Sequence, residues 1–400
     1  MKPSPYRWVV LSVFVLSTAI NYLDRQTLAT LAPLVRAEFH LSNAQYGLIL
    51  SVFSIAYAAC APFAGMLIDR IGLNRAIGMA VGVWSCAGIC TGFTRGLDGL
   101  LGCRGVLGMS EAAGIPGAGK AIHSYLLPAE RALGNAWNQA GVSLGLIVAP
   151  PVATWIAMRY GWRQAFVITG TLGLIWIPVW NIIARRSQGS PTPGPSTQNP
   201  ELSTLDLFRS PRLWALVAAN ALNMSVYSLW TNWTTLYLVE KHRLALAEAN
   251  WYAVVPPLVA ALGGFGGGWL SLVWMRTGLP AVAARTRVCL VGALLAMPTA
   301  LIPLLPTAGW TAAGISLSIL AVSAVSVNMY TIPLDIFGGA RAAFAISMLV
   351  ASYGAAQALI SPAIGAVVDG YGYGPVCLVA AVLPLAAYAV LRWHRLQPWL

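Results

Sequence analysis

Apolar runs of roughly 20 residues or more follow one another along the whole chain, broken by short clusters of charge, proline and glycine. Each run is long enough to cross a hydrocarbon core of about 30 Å as a helix. Uniform runs, rather than positions alternating in polarity, predict helices and not the strands of a barrel. The breaks divide the sequence into twelve predicted membrane helices, at 7–33, 43–67, 74–94, 98–125, 132–157, 163–184, 212–238, 248–272, 285–304, 309–332, 340–368 and 373–393. The expected fold class is all-α, a membrane protein of twelve transmembrane helices.

The longest polar interruption, Arg185 to Thr204, is rich in proline, serine and glycine and cannot bury a core. It falls at the midpoint, so the expected organisation is a six-helix bundle at 1–186, a linker at 187–205 and a second six-helix bundle at 206–400. One landmark recurs in both halves: Pro151 precedes Tyr160-Gly161-Trp162, and Pro362 precedes Tyr371-Gly372-Tyr373 at the same spacing. Lys and Arg gather in the loops on one side if both termini lie there, which places the termini in the cytoplasm. The short basic stretch Met1 to Arg7 leads into a run longer than a signal-peptide core and without a clear cleavage site, so it is expected to be kept as the first span.

Composition sharpens this reading. Hydrophobic residues make up 58% and charged residues 9%, where a soluble domain carries about 25% charged. Mean hydropathy is +0.70. The net charge of +12 does not point to nucleic acid, because the basic residues are dispersed among loops rather than gathered on one stripe. All six cysteines sit in apolar runs without metal-ligand spacing, so no metal and no cofactor is expected. The stretch Gly114 to Ala121 imitates a phosphate-binding loop but has no hydroxyl residue after Lys120 and no preceding strand. No nucleophile and base pair suggests an enzyme, and no extramembrane segment is long enough for a sensor's output domain.

Charges inside the apolar runs are the chemistry left to explain. Arg104 and Glu111 are two helical turns apart and project from nearly the same face, roughly 9 Å and 20 Å deep if the fourth helix starts near Asp98. Asp24 and Arg25, entering from the other side, lie roughly 26 Å along the first helix, at a depth similar to Arg104. Charges at such depth cost at least about 2.5 kcal/mol each and so face a partner or a wet path. Lys120 is expected to snorkel to the cytoplasmic surface, and His123 to be interfacial. The second half offers Asn220, Asn223, Tyr227, Asn232, Asn328, Tyr330, Ser352, Tyr353 and Gln357, of which Asn232, Asn328 and Tyr353 are expected to bind substrate.

Between the second and third helices runs G-M-L-I-D-R-I-G-L-N-R, Gly65 to Arg75. Gly65 and Gly72 permit close approach and a tight turn, while Asp69, Arg70 and Arg75 can pair with each other and with helix ends. This pattern resembles the signature loop of the major facilitator superfamily, whose members have two six-helix bundles rocking around a central site. The residues Gly65, Asp69, Arg70, Gly72 and Arg75 are thus expected to act as a conformational gate. The counterpart after the eighth helix has Leu272 where relatives often place Asp.

Four further segments, N-Y-L-D-R-Q-T-L (Asn21 to Leu28), R-G-V-L-G-M-S-E-A (Arg104 to Ala112), P-A-E-R-A (Pro128 to Ala132) and Y-G-W-R-Q-A-F-V-I-T-G-T-L-G-L-I-W (Tyr160 to Trp176), resemble the anion:cation symporter family, most closely its hexuronate and sugar-acid transporters. P-L-D-I-F, Pro333 to Phe337, is also similar. The resemblance implies proton-coupled import of an organic anion across a bacterial inner membrane, with Arg25 and Arg104 holding the substrate carboxylate and Asp24 and Glu111 taking the coupling proton. It adds Tyr22, Tyr57 and Gln139 as cavity-lining residues. Gly114-Ile115 stand in place of a frequent Asn-Phe, His123-Ser124 in place of an acidic-aromatic pair, and Gln139 in place of Asn.

The expected partners are a small organic anion, protons and the lipid bilayer, the chain acting as a monomer. Within the mechanism Glu111 is expected to be the coupling acid and Asp24 the group that manages Arg25. Other small carboxylates, or neutral and lipid-like solutes moved without protons, are the alternative cargoes.

Overall fold

The structure is a computed structural model that describes residues 6–126, 131–186 and 207–393. Every regular element in it is helical. In chain order these are α1 (Tyr6–Phe39), α2 (Asn43–Ile71), α3 (Leu73–Thr91), α4 (Leu97–Glu111), α5 (Gly114–Tyr125), α6 (Arg131–Tyr160) and α7 (Trp162–Arg186). After them come α8 (Pro211–His242), α9 (Leu246–Ala253), α10 (Val255–Arg276), α11 (Ala281–Ala296), a 3₁₀ segment (Met297–Leu304), α12 (Ala308–Tyr371) and α13 (Tyr373–Trp393). Ten segments among the described residues are long and apolar enough to cross a membrane. The expected linker at 187–205 and most of the P-A-E-R-A motif, residues 128–130, lie outside the described residues.

Several predicted spans are broken, and proline explains most of the breaks. Pro116 has no N–H for the Ala112 carbonyl, so the predicted fourth span parts into α4 and α5 around a tight turn in which Ala113 N–H bonds Ser110 O at 3.3 Å. Pro256 and Pro257 part α9 from α10 in the same way. Pro298 removes the bond to Leu294 O, and the chain tightens into the 3₁₀ segment, itself holding Pro303. One boundary is missing where it was expected. The tenth and eleventh predicted spans belong to a single helical stretch, α12, in which Ala308–Phe337 and Ala345–Tyr371 each suffice to cross a membrane. Gly338 and Gly339 lie between them, each costing a helix only about 1 kcal/mol, and the backbone stays helical through them.

The described chain forms two compact units, one of residues 1–41 and 48–196, the other of 42–47 and 197–400. The core of the first sets Val10 and Phe14 of α1 against Ile77, Val81 and Trp84 of α3 and Trp176 and Trp180 of α7. Trp176 and Trp180 stack at 5.3 Å, Phe14 meets Trp180 edge-on at 5.8 Å, and Trp176 Nε1 donates to Val13 O at 2.6 Å. Packing of α6 on α1 depends on Gly141 and Gly145, four apart on one face. A Cβ at Gly145 would fall 2.4 Å from Ala19 O, and one at Gly141 would fall 2.6 Å from Val15 Cγ1.

Gly145→Val is therefore expected to force α6 off α1 at a cost of about 1–3 kcal/mol, seen as a lower melting temperature in detergent. An unchanged melting temperature would show that the close approach is not needed.

In the second unit, buried asparagines tie helices together. Asn220 Nδ2 donates to Leu349 O at 2.8 Å and Ser352 Oγ at 3.0 Å, and Asn223 Nδ2 to Val322 O at 3.2 Å. Asn328 Nδ2 donates to Gly267 O at 3.1 Å and to Ala324 O at 2.9 Å. The first turn of α2 groups with this unit: Asp369 accepts from the Asn43 and Ala44 N–H groups, each at 2.9 Å, as an acidic cap on a helix N-terminus.

Candidate functional site

The first unit brings Tyr22, Asp24 and Arg25 of α1, Phe53 and Tyr57 of α2, and Arg104 and Glu111 of α4 into one neighbourhood. Glycine sets the approach of α2 to α4. A Cβ at Gly108 would fall 2.3 Å from Phe53 O, so only glycine lets α4 lie this close. That closeness carries Glu111, one turn further on, to α1.

Arg25 spans the gap. Its Nε and Nη2 donate to the same oxygen, Glu111 Oε2, at 3.1 and 2.7 Å. Glu111 is covered completely, while the Arg25 side chain remains 25% exposed. Three rings surround the guanidinium, with centroids at 5.0 Å (Tyr22), 4.6 Å (Phe53) and 5.3 Å (Tyr57). A weakly hydrated guanidinium is the cation best suited to such faces. Glu111 Oε1 is buried and has no hydrogen-bond partner.

Asp24 faces elsewhere. Neighbours in a helix diverge by about 100°, so the Asp24 and Arg25 side chains point apart. Asp24 is buried beside Thr169 of α7, within electrostatic reach of Arg104 and Glu111. Asn21, one turn before it, lies beside Glu111. Arg104 is buried at 3% exposure. The sequence reading made Asp24 the manager of Arg25, whereas in the structure Glu111 holds that guanidinium.

The remaining expected site residues are placed as follows. Gln139 is exposed on α6, and its neighbour Asn138 is the residue that reaches α1, accepting from Thr18 Oγ1 at 2.9 Å. In the second unit Asn232 Nδ2 bonds back to Ser228 O at 2.8 Å, Asn328 is committed to the backbone bonds given above, and Tyr353 is half-buried. Of the gate residues, Gly72 turns the chain at φ 84°, a left-handed conformation that suits glycine. Arg70 and Arg75 are exposed. Gly65 lies within α2, and the side chains of Asp69 and His123 are outside what the structure describes.

Sequence reasoning passed over Phe53, Asn138 and Thr169. Phe53 and Tyr57 are four apart, the spacing of two rings on one helix face, and that signal could have found the aromatic enclosure. No group of three or more His, Cys, Asp or Glu side chains suited to a metal ion occurs among the described residues. The chemistry available is that of an acid and a guanidinium holding each other in a dry setting: a proton on the acid removes the guanidinium's counter-charge and leaves its donors for another carboxylate.

Comparison with known proteins places this geometry in context. Residues 14–337 match the family model described as the Major Facilitator Superfamily. The chain is 28% identical to the hexuronate transporter of Escherichia coli K12, over 98% of this chain and 94% of that protein. It is 27% identical to the galacturonate transporter of Dickeya chrysanthemi, over 72% and 88% of the two chains. Identity to the D-galactonate transporter of Escherichia coli O6:H1 is 26%, over 74% of each. Among solved structures, the chain is similar to a bacterial homologue of the human lysosomal transporter Spinster, captured inward-facing and unoccupied. The TM-score is 0.78 at 22% identity, covering 98% of this chain and 96% of that one.

Proposed function

We propose, from the premise that this chain belongs to the Major Facilitator Superfamily, that it is a secondary active transporter importing a sugar acid, a hexuronate or aldonate, together with protons. Its family is one of membrane transporters of small solutes and not of enzymes, and the chain is a multi-pass membrane protein. The relatives named for hexuronate, galacturonate and D-galactonate transport support an organic anion as cargo. We place it in a bacterial inner membrane with both termini cytoplasmic, working as a monomer by alternating access.

The observation that carries the reading is the bond from two donors of Arg25 to one oxygen of fully covered Glu111. With Glu111 ionised, the guanidinium is engaged and attracts an incoming carboxylate weakly. A proton on Glu111 leaves Nε and Nη2 as a planar fork that accepts a carboxylate through two parallel hydrogen bonds. Proton and anion therefore bind together. Release reverses the order: Glu111 loses its proton on the less acidic side, reclaims Arg25 and displaces the anion. Tyr22 and Tyr57 flank the fork, while Asp24 and Arg104 lie within electrostatic reach of each other. Gln139, Asn232, Asn328 and Tyr353 remain the proposed contacts for the rest of the substrate, and Gly65, Asp69, Arg70, Gly72 and Arg75 the proposed gate.

The test is uptake into proteoliposomes with an alkaline interior. Radiolabelled D-galacturonate or D-gluconate should accumulate above equilibrium, about tenfold per pH unit for each coupled proton. Uptake that equilibrates and ignores the gradient would identify an uncoupled facilitator of other solutes.

A further inference from the structure

We infer that the site accepts a single carboxylate, so that the transporter carries monoanions and rejects dianionic acids of the same size. This rests on the function proposed above. The charged side chains that are buried among the described residues are Asp24, Arg104 and Glu111, and partly exposed Arg25 completes the cluster. Two acids and two bases leave no formal surplus of positive charge.

Arg25 keeps a quarter of its side chain exposed, but Arg104 is covered to within 3% and lies in the electrostatic reach of both acids. A carboxylate can reach the first and not the second. Around Arg25 stand Tyr22, Phe53 and Tyr57. Their faces can take the C–H surface of a polyol or sugar ring, yet the negative face of an aromatic ring repels an anion. A second carboxylate beside Arg25 thus meets ring faces, while the other cation of this cluster is covered.

Charge, rather than shape, then decides between acids that differ only at one end. D-Gluconate and D-glucarate share a six-carbon skeleton, as do D-galactonate and galactarate, and the second of each pair replaces a terminal alcohol with a carboxylate. The monoamide of D-glucarate keeps that bulk and removes the added charge.

The experiment measures binding of all five compounds to the purified full chain in detergent by calorimetry, with competition for uptake in proteoliposomes as the second readout. The inference predicts that each dianion binds at least about 100-fold more weakly than its monoanion, since a buried charge without a partner is among the costliest groups to desolvate, and that the monoamide recovers most of the loss. A dianion binding within about tenfold of its monoanion would overturn the inference while leaving sugar-acid transport standing. Exclusion of the monoamide along with the dianion would also overturn it, by showing that shape does the selecting. Failure of all five to bind would overturn the sugar-acid reading, and this inference with it.

Discussion

Arg25→Lys is expected to lower sugar-acid uptake about 100-fold, although positive charge at the position is retained. The native guanidinium turns two N–H groups of one rigid plane toward Glu111 Oε2, at 3.1 and 2.7 Å, and fills a space between three aromatic rings. An ammonium is compact and strongly hydrated, presents no planar fork, and gains less from ring faces that an extended cation covers. Glu111 is fully covered and would be left with a poorer partner, which also costs stability. The double variant Arg25→Lys with Glu111→Gln separates the two effects, because the unpaired buried acid is then gone. It should melt nearer the native protein and still fail to bind. Native affinity in Arg25→Lys would mean that the substrate carboxylate is held elsewhere, with Arg104 the next candidate.

Glu111→Gln is expected to sever transport from the proton gradient. Glutamine keeps the shape and one acceptor but cannot titrate, so Arg25 is released permanently and substrate binding no longer depends on a proton. In proteoliposomes the variant should exchange internal for external substrate within about threefold of the native rate while its accumulation under a pH gradient falls to about one. Full gradient-driven accumulation would remove Glu111 from the coupling role and leave Asp24 to fill it. Asp24 is buried without an ion-pair bond among those described, so it is itself equipped to hold a proton. The two acids are distinguished by what each controls: Glu111 is bonded to the exposed cation, and Asp24 lies beside the covered one.

The chain's architecture was legible because oil imposes one rule, that a segment of about 20 apolar residues must be a helix. The members of the charged cluster could also be read from the sequence, since a charge in such a segment requires a partner. Their pairing was not read correctly. Adjacency in sequence suggested that Asp24 manages Arg25, but residues i and i+1 of a helix point apart, and the signal for Glu111 lay in the fixed phase of α1 rather than in the D-R pair. Phe53 was missed because a phenylalanine in an apolar run is ordinary core until its neighbour is known. The parting of α4 from α5 at Ala112 was within reach, since Pro116 lacks the N–H that continuity needs. The continuous helix from Ala308 to Tyr371 was not, because Gly338, Gly339 and Arg341 read as a loop, while each glycine costs a helix only about 1 kcal/mol and arginine is a good helix former.

Glycine shows how fold and site are joined in this chain. The first unit brings backbones together where a side chain would collide, at Gly145 against Ala19 and at Gly108 against Phe53. The second of these contacts sets the distance between α4 and α2, and so the position of Glu111 relative to Arg25 and its rings.

The most direct measurement is proton uptake on substrate binding. Purified protein in weakly buffered detergent solution with a pH indicator is mixed with D-gluconate or D-galacturonate at neutral pH. If a proton on Glu111 is what frees Arg25 for the carboxylate, the native protein takes up close to one proton through this residue for each substrate bound, and Glu111→Gln binds without that proton. Binding by the native protein with no change in pH, or equal uptake by the variant, would contradict it.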